Sequence, residues 1–183
     1  MREYFLKTKR LGFSHWEKEN LETAYSLWGD KKVTKYLSAA GIFTREETLE
    51  RLNLEIENEK LYGIQYWPVF ELKTGEFTGC CGLRPYKNSE KIFEIGFHLK
   101  PEYWGMGYGK EAAENMIKYA FEKLGAEKIF AGHNPANAAS AKLLTKLGFT
   151  YTGDEYYKPT GLYHPSYIYE KNTYREIKES KND

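Results

Sequence analysis

A mixed α/β fold, one sheet with helices on both faces, is what the chain predicts. Three observations lead there: strand-like runs recur along the length, stretches of helical period stand between them, and no repeat, low-complexity segment or linker divides the 183 residues. That length buries a core without disulfides or metal, so a single domain is expected over residues 1–174, followed by a polar, frayed tail over residues 175–183.

Residues 5–13 read as the opening strand, and residues 16–28 follow with Leu21, Ala24, Tyr25 and Trp28 at helical spacing. Thr44, with Glu47 three residues on, makes a capping box; Leu49, Leu52 and Ile56 then mark one face of a helix ending near Lys60, its other face charged and expected wet. Runs 63–72 and 77–83 read as antiparallel strands joined by Lys73-Thr74-Gly75-Glu76, whose glycine suits a tight turn. A loop over 85–91 leads to a strand over 93–99, stopped by Lys100-Pro101 because proline cannot continue the ladder. From Gly109, the residues Ala112, Ala113, Met116, Ile117, Ala120, Phe121 and Leu124 trace a wide apolar stripe closed by Gly125, the clearest helix in the chain. A strand over 128–133, a helix over 137–147 ended by Gly148, and strands over 149–153 and 167–173 complete the order, with 158–167 expected as a polar, aromatic loop.

Charge excludes one class of function: 27 basic against 26 acidic side chains leave no broad positive field, so no nucleic-acid partner is expected. No run of about 18 apolar residues signals a membrane span, and the first residues lack the apolar stretch of a signal peptide; the expected compartment is the cytoplasm. Cys80 and Cys81 are adjacent, would point to opposite faces of a strand, and read as buried thiols. His15, His98, His133 and His164 show no ligand spacing, and no metal is expected. Aromatic residues make up 16%, with sixteen tyrosines, which suits a lined pocket and allows a homodimer.

The chemistry concentrates in Trp104-Gly105-Met106-Gly107-Tyr108-Gly109-Lys110, a turn between a strand and a helix start. Glycines let main chain approach a ligand closely, and the free N–H groups and dipole of a helix N-terminus favour an anion such as a pyrophosphate, with Lys110 adding charge. A dinucleotide fingerprint would place the third glycine one residue later, and a P-loop would follow the lysine with Ser or Thr where Glu111 stands.

The turn resembles the Gln/Arg-x-x-Gly-x-Gly/Ala coenzyme loop of the GNAT superfamily of acetyl-CoA-dependent N-acetyltransferases. Trp104 at the Gln/Arg position resembles the ribosomal-protein N-terminal acetyltransferase subgroup, the RimJ/RimL type. Downstream, Asn134-Pro135-Ala136-Asn137-Ala138-Ala139-Ser140 and Lys146-Leu147-Gly148-Phe149 resemble the family's Asn-x-x-Asn-x-x-Ser and Leu-Gly-Phe, and Thr8-Lys9-Arg10-Leu11 also fits.

The resemblance implies a mostly antiparallel sheet of about six to seven strands whose central strands splay apart. It also implies acetyl-CoA as cosubstrate, held by main-chain groups of Phe97, His98 and Leu99, by the turn from Trp104 to Lys110, and by Asn134 and Asn137 on the pantetheine amides. Ser140 would meet the departing sulfur. Asn137 equally suits an N-cap. Glu94 shares a strand face with Gly96 and His98 by parity; as a partly buried carboxylate it could take the proton of an amine, directly or through water, or be an ordinary strand carboxylate. The expected activity is direct transfer of acetyl to a primary amine, on a peptide N-terminus or a small molecule; a CoA-binding sensor without chemistry is the alternative.

Overall fold

Two short strands open the chain where one was expected. A computed structural model describes residues 2–87 and 89–180, so Met1, Asn88 in the expected loop and the last three residues of the expected tail lie outside the described residues. Strands β1 (Leu6–Lys7) and β2 (Leu11–Phe13) pair antiparallel. The break comes from Thr8, whose N–H donates to the Leu11 carbonyl at 2.8 Å and whose hydroxyl accepts from the Leu11 N–H at 3.0 Å, closing a turn.

Helix α1 (Leu21–Trp28) follows a single 3₁₀ turn, and α2 (Lys31–Thr34), not foreseen, starts where Asp30 accepts from the Lys32 N–H at 2.7 Å. Helix α3 (Arg45–Tyr62) carries the Thr44–Glu47 capping box and ends at Gly63, whose φ of 69° only glycine adopts freely. Strands β3 (Tyr66–Glu71) and β4 (Phe77–Pro85) are joined by the Gly75 turn, and β5 (Ile92–Leu99) leads through a 3₁₀ turn at Pro101–Tyr103 to α4 (Tyr108–Glu122). Then come β6 (Lys128–Gly132), α5 (Ala138–Leu147), β7 (Thr150–Tyr157), β8 (Leu162–Glu170) and α6 (Lys171–Glu179).

The strands form one sheet in the order β1-β2-β3-β4-β5-β6-β8-β7, eight strands where six to seven were expected; every pair is antiparallel except β5 with β6. The expected loop over 158–167 is a turn followed by the first two thirds of β8. Its hairpin partner β7 is exposed along most of its length, so the alternation of buried and exposed residues that announces a strand is missing there. The tail differs too: residues 175–179 continue α6. Tyr174 stacks on Phe121 with centroids 5.0 Å apart, and Tyr174 and Lys178 both donate to Glu122, at 2.7 and 2.6 Å.

The sheet divides the core in two. On one face α4 packs Ala112, Met116, Ile117 and Ala120 against Leu11, Phe13, Val69, Cys81, Leu83 and Ile95. On the other, α1 and α3 bring Leu27, Trp28 and Leu52 against Tyr66 and Cys80. The adjacent cysteines are both fully buried, one in each cluster, as strand alternation requires.

Candidate active site

β5 pairs with β4 from Phe93 to Leu99 but with β6 only from Ile92 to Glu94. The Lys100 N–H donates to the Thr78 carbonyl at 2.9 Å and the Tyr86 N–H to the Ile92 carbonyl at 3.0 Å. Antiparallel alternation then turns the main-chain groups of Glu94, Gly96 and His98 toward β4 and those of Ile95, Phe97 and Leu99 toward β6. Since the β6 ladder stops at Glu94, the Phe97 and Leu99 main chain stands beyond it in the opened gap. The Leu99 carbonyl accepts from the indole N–H of half-exposed Trp104 at 2.8 Å.

His98 therefore corrects the expectation: its main chain belongs to the β4 ladder. Its ring is turned into the second core, where Trp28 Nε1 donates to Nδ1 at 3.1 Å and Cys80 Sγ lies 3.6 Å from the same nitrogen. Burial, reinforced by the Arg51 and Arg84 charges, pushes the imidazole pKa well below its usual value, so the ring is neutral.

In the glycine turn, Gly105 has φ of 74° and Gly107, the N-cap of α4, φ of 79°. A Cβ on Gly105 would meet nothing within 4 Å, leaving an open cradle of main chain at the start of a 15-residue helix. Gly109 has a packing role: a Cβ there would lie 3.4 Å from Leu99 and 3.6 Å from Leu143, where β5, α4 and α5 meet. Tyr108 is buried with its hydroxyl on Glu71, so only its main chain faces the turn, and Lys110 pairs with Glu114 at 3.4 Å along the exposed helix face.

The cation at this turn is one that sequence reasoning did not assign. Arg10 Nη1 donates to the Met106 carbonyl at 2.9 Å, Nε donates to Glu111 at 2.6 Å, and the guanidinium lies 4.3 Å from the Tyr108 ring centre. Glu111 also accepts from the Thr8 hydroxyl at 2.5 Å and the Arg10 N–H at 2.8 Å. Burial pushes its carboxyl up, but these hydrogen bonds and the Arg10 charge outweigh that and hold it below the usual range. Met106, half-exposed, serves through its carbonyl.

On α5 the Asn137 side chain accepts from the Ser140 N–H at 3.1 Å, so it caps the helix while its amide nitrogen stays available to a ligand. Asn134 Oδ1 likewise accepts from the Ala136 N–H at 3.0 Å. Ser140 sits in the first turn with its hydroxyl unbonded among the described residues.

The opposite sheet face holds charge beside the expected packing of Leu52 and Ile56. Leu49 is 41% exposed, and the buried positions of α3 are Thr48, Leu52 and Glu55. Glu55, fully buried, accepts from Arg51 Nε at 2.8 Å, from Arg84 and from the Tyr66 N–H at 2.9 Å. Arg84 lies opposite Glu94 in the β4–β5 register, with its guanidinium 4.4 Å from the Tyr66 ring centre. Glu94 has no hydrogen-bond partner among the described residues; burial raises its pKa, and the pull of Arg84 and Arg51 does not cancel this. Tyr157 of β7 belongs to the same group, its hydroxyl pKa raised by burial and by Glu94. The rim is closed where the Ala39 N–H donates to the Pro159 carbonyl at 3.0 Å. Of these residues only Glu94 was singled out from sequence, because Glu55 and Arg84 are brought together by an α3–β4 contact that spacing does not encode.

No cluster of three metal-ligating side chains occurs among the described residues, and no described helix is long and apolar enough to cross a membrane.

The acetyltransferase (GNAT) domain family matches residues 10–150, and the chain belongs to that family. It is 33% identical over 162 residues to the YkkB protein of Bacillus subtilis, spanning 86% of this chain and 93% of that one. It is 32% identical to the FsC-acetyl coenzyme A-N(2)-transacetylase of Aspergillus fumigatus, over 80% of this chain and 65% of that one. A GNAT-family acetyltransferase structure from Bacillus anthracis superposes with a TM-score of 0.75 at 26% identity, over 90% of this chain and 95% of that one. The protein is an acetyl-CoA-dependent N-acetyltransferase with the GNAT fold. The open glycine cradle, the Arg10 cation and the β5 main chain beyond the β6 ladder fit a pyrophosphate followed by an amide-bearing arm.

Proposed function

We propose that the acceptor is a primary amine, on a peptide or protein N-terminus or on a small molecule, and that it attacks the acetyl-CoA thioester directly within a ternary complex in the cytoplasm. The observation that carries this reading is Glu94, a partly buried carboxyl without a hydrogen-bond partner among the described residues, placed where β5 leaves β6. An alkyl ammonium near pKa 10 must lose a proton before it can attack, and a carboxyl of raised pKa is suited to take it near neutral pH. Main-chain groups of Phe97 and Leu99 would hold the arm and the thioester oxygen, Asn134 and the free amide nitrogen of Asn137 would hold the amides, and the Ser140 hydroxyl would meet the departing sulfur.

A covalent acetyl-enzyme has no support. Burial pushes the Cys80 thiol up to about 12, and its neighbour His98 is neutral with Nδ1 engaged by Trp28. The N(2) in the name of the Aspergillus relative supports nitrogen as acceptor, and the Trp104 motif supports a peptide N-terminus among amines.

The test is calorimetric titration with acetyl-CoA, followed by free-thiol release against a panel of N-terminal peptides, amino acids and polyamines. Micromolar binding and turnover with one amine class are expected. Gly107→Glu sets a carboxylate against the pyrophosphate cradle and should abolish binding while leaving the circular dichroism spectrum intact. Unchanged affinity in that variant would displace the coenzyme site from this turn.

A further inference from the structure

Tyr66 is fully engaged on three sides and free at its hydroxyl. Its N–H donates to Glu55, the Arg84 guanidinium covers one ring face with a centroid distance of 4.4 Å, and the His98 ring meets it edge-on at 5.9 Å. The far end of the ring lies over Gly96: a Cβ built there would fall 2.3 Å from Cζ and 2.5 Å from the hydroxyl oxygen. Gly96 is thus a glycine because the phenol occupies the space of its side chain. The β5 main chain leaves β6 just before this residue, and Glu94 is two residues away on the same face, about 6.6 Å along the strand. The hydroxyl makes no hydrogen bond among the described residues.

We propose that the Tyr66 hydroxyl relays the proton between the acceptor amine and Glu94, standing where a water would otherwise be needed. The inference rests on Glu94 as the proton acceptor. In the step, the amine N–H proton passes to the Tyr66 oxygen as the Tyr66 O–H proton passes to a Glu94 carboxylate oxygen. One N–H and one O–H bond break, two O–H bonds form, and the phenol ends unchanged. Burial and the Glu94 charge raise the phenol pKa well above its usual value, so between turnovers it keeps its proton. The charged groups acting on the phenol are Glu94 from β5, Arg84 from β4, and Arg51 and Glu55 from α3; the His98 ring of β5 meets the Tyr66 ring, and Tyr157 of β7 feels the same Glu94, Arg51 and Arg84.

The test is a double-mutant cycle in the full chain, using acetyl-CoA and whichever panel amine the wild type acetylates fastest. Tyr66→Phe keeps the ring over Gly96 and should lower kcat by at least about tenfold, with the KM for acetyl-CoA unchanged. Because both groups act on one proton, Tyr66→Phe with Glu94→Gln should be no slower than Glu94→Gln alone. Gly96→Ala, which displaces the ring, should reproduce the kcat loss while calorimetry still detects acetyl-CoA. A Tyr66→Phe enzyme within about twofold of wild type, or losses that multiply in the double variant, would overturn the relay. A wild type that acetylates no amine would overturn the functional reading instead, and a fully active Glu94→Gln would overturn the role of Glu94.

Discussion

Cys80 and Cys81 are neighbours in one strand, yet they look out on different kinds of interior. Around Cys81 the α4 face is almost wholly apolar, with Leu11, Val69, Leu83, Met116 and Ile95. Around Cys80 the face toward α3 carries His98, Trp28 and, farther along, the Arg51–Glu55–Arg84 group and Glu94. A single sheet assigns stability to one side and ionisable chemistry to the other. The second side retains its charges because the Arg51 and Arg84 guanidiniums share the Glu55 carboxylate, which also accepts from the Tyr66 N–H, although the Arg84 Nε–H finds no partner among the described residues.

The sharpest way to break this contrast is to remove the carboxylate that balances the charged face. Glu55→Ala strips a partner from Arg51, Arg84 and the Tyr66 N–H together, and should cost about 3–5 kcal/mol in urea unfolding. Because the wall behind Glu94 then moves, kcat should fall in the fraction that stays folded. Met116→Ala probes the apolar side: with Met116 fully buried, the loss should be about 2–5 kcal/mol, with kcat per folded molecule unchanged. If Met116→Ala lowered kcat as Glu55→Ala does, the two faces would not be divided by task.

Glu94→Gln should have the smallest effect on stability and the opposite sign. A carboxyl whose pKa is raised by folding penalises the native state once pH passes above its ordinary value, and the penalty is complete above the raised value. The variant should therefore melt higher than wild type at pH 7, and the difference should vanish as pH falls below about 4. In wild type, kcat/KM should fall with decreasing pH at a higher pH than an ordinary carboxylate would give, and this limb should be absent in Glu94→Gln. Thermal melts and initial rates across that range measure both.

Local patterns were the legible part of the chain. The Thr44–Glu47 box, the apolar stripe from Ala112 to Phe121, the Gly148 stop and the strand ending at Lys100-Pro101 each depend on residues within a few positions, and each forms where the pattern placed it. The turn end of the β7–β8 hairpin escaped because Tyr156, Tyr157 and Tyr163 are exposed there, and α6 because Tyr174 and Ile177 pack on residues far back in the chain, among them Phe121 and Gly148. Arg10 was visible as part of a motif but not as a partner of Glu111, 101 residues away.

By itself the sequence determined the α/β class, most of the strands and longer helices, the glycine turn at the head of α4, the resemblance to the family and Glu94 as a strand residue. Only the tertiary structure decided that His98 belongs to the core, that Arg10 is the cation at the turn, and that Tyr66 fills the space over Gly96 beside Arg84. The reason is physical: helix caps, turns and amphipathic stripes are set by interactions within a few residues. The register between strands and the contact of α3 with β4 arise only when distant segments pack, and those contacts select which charges share one buried space.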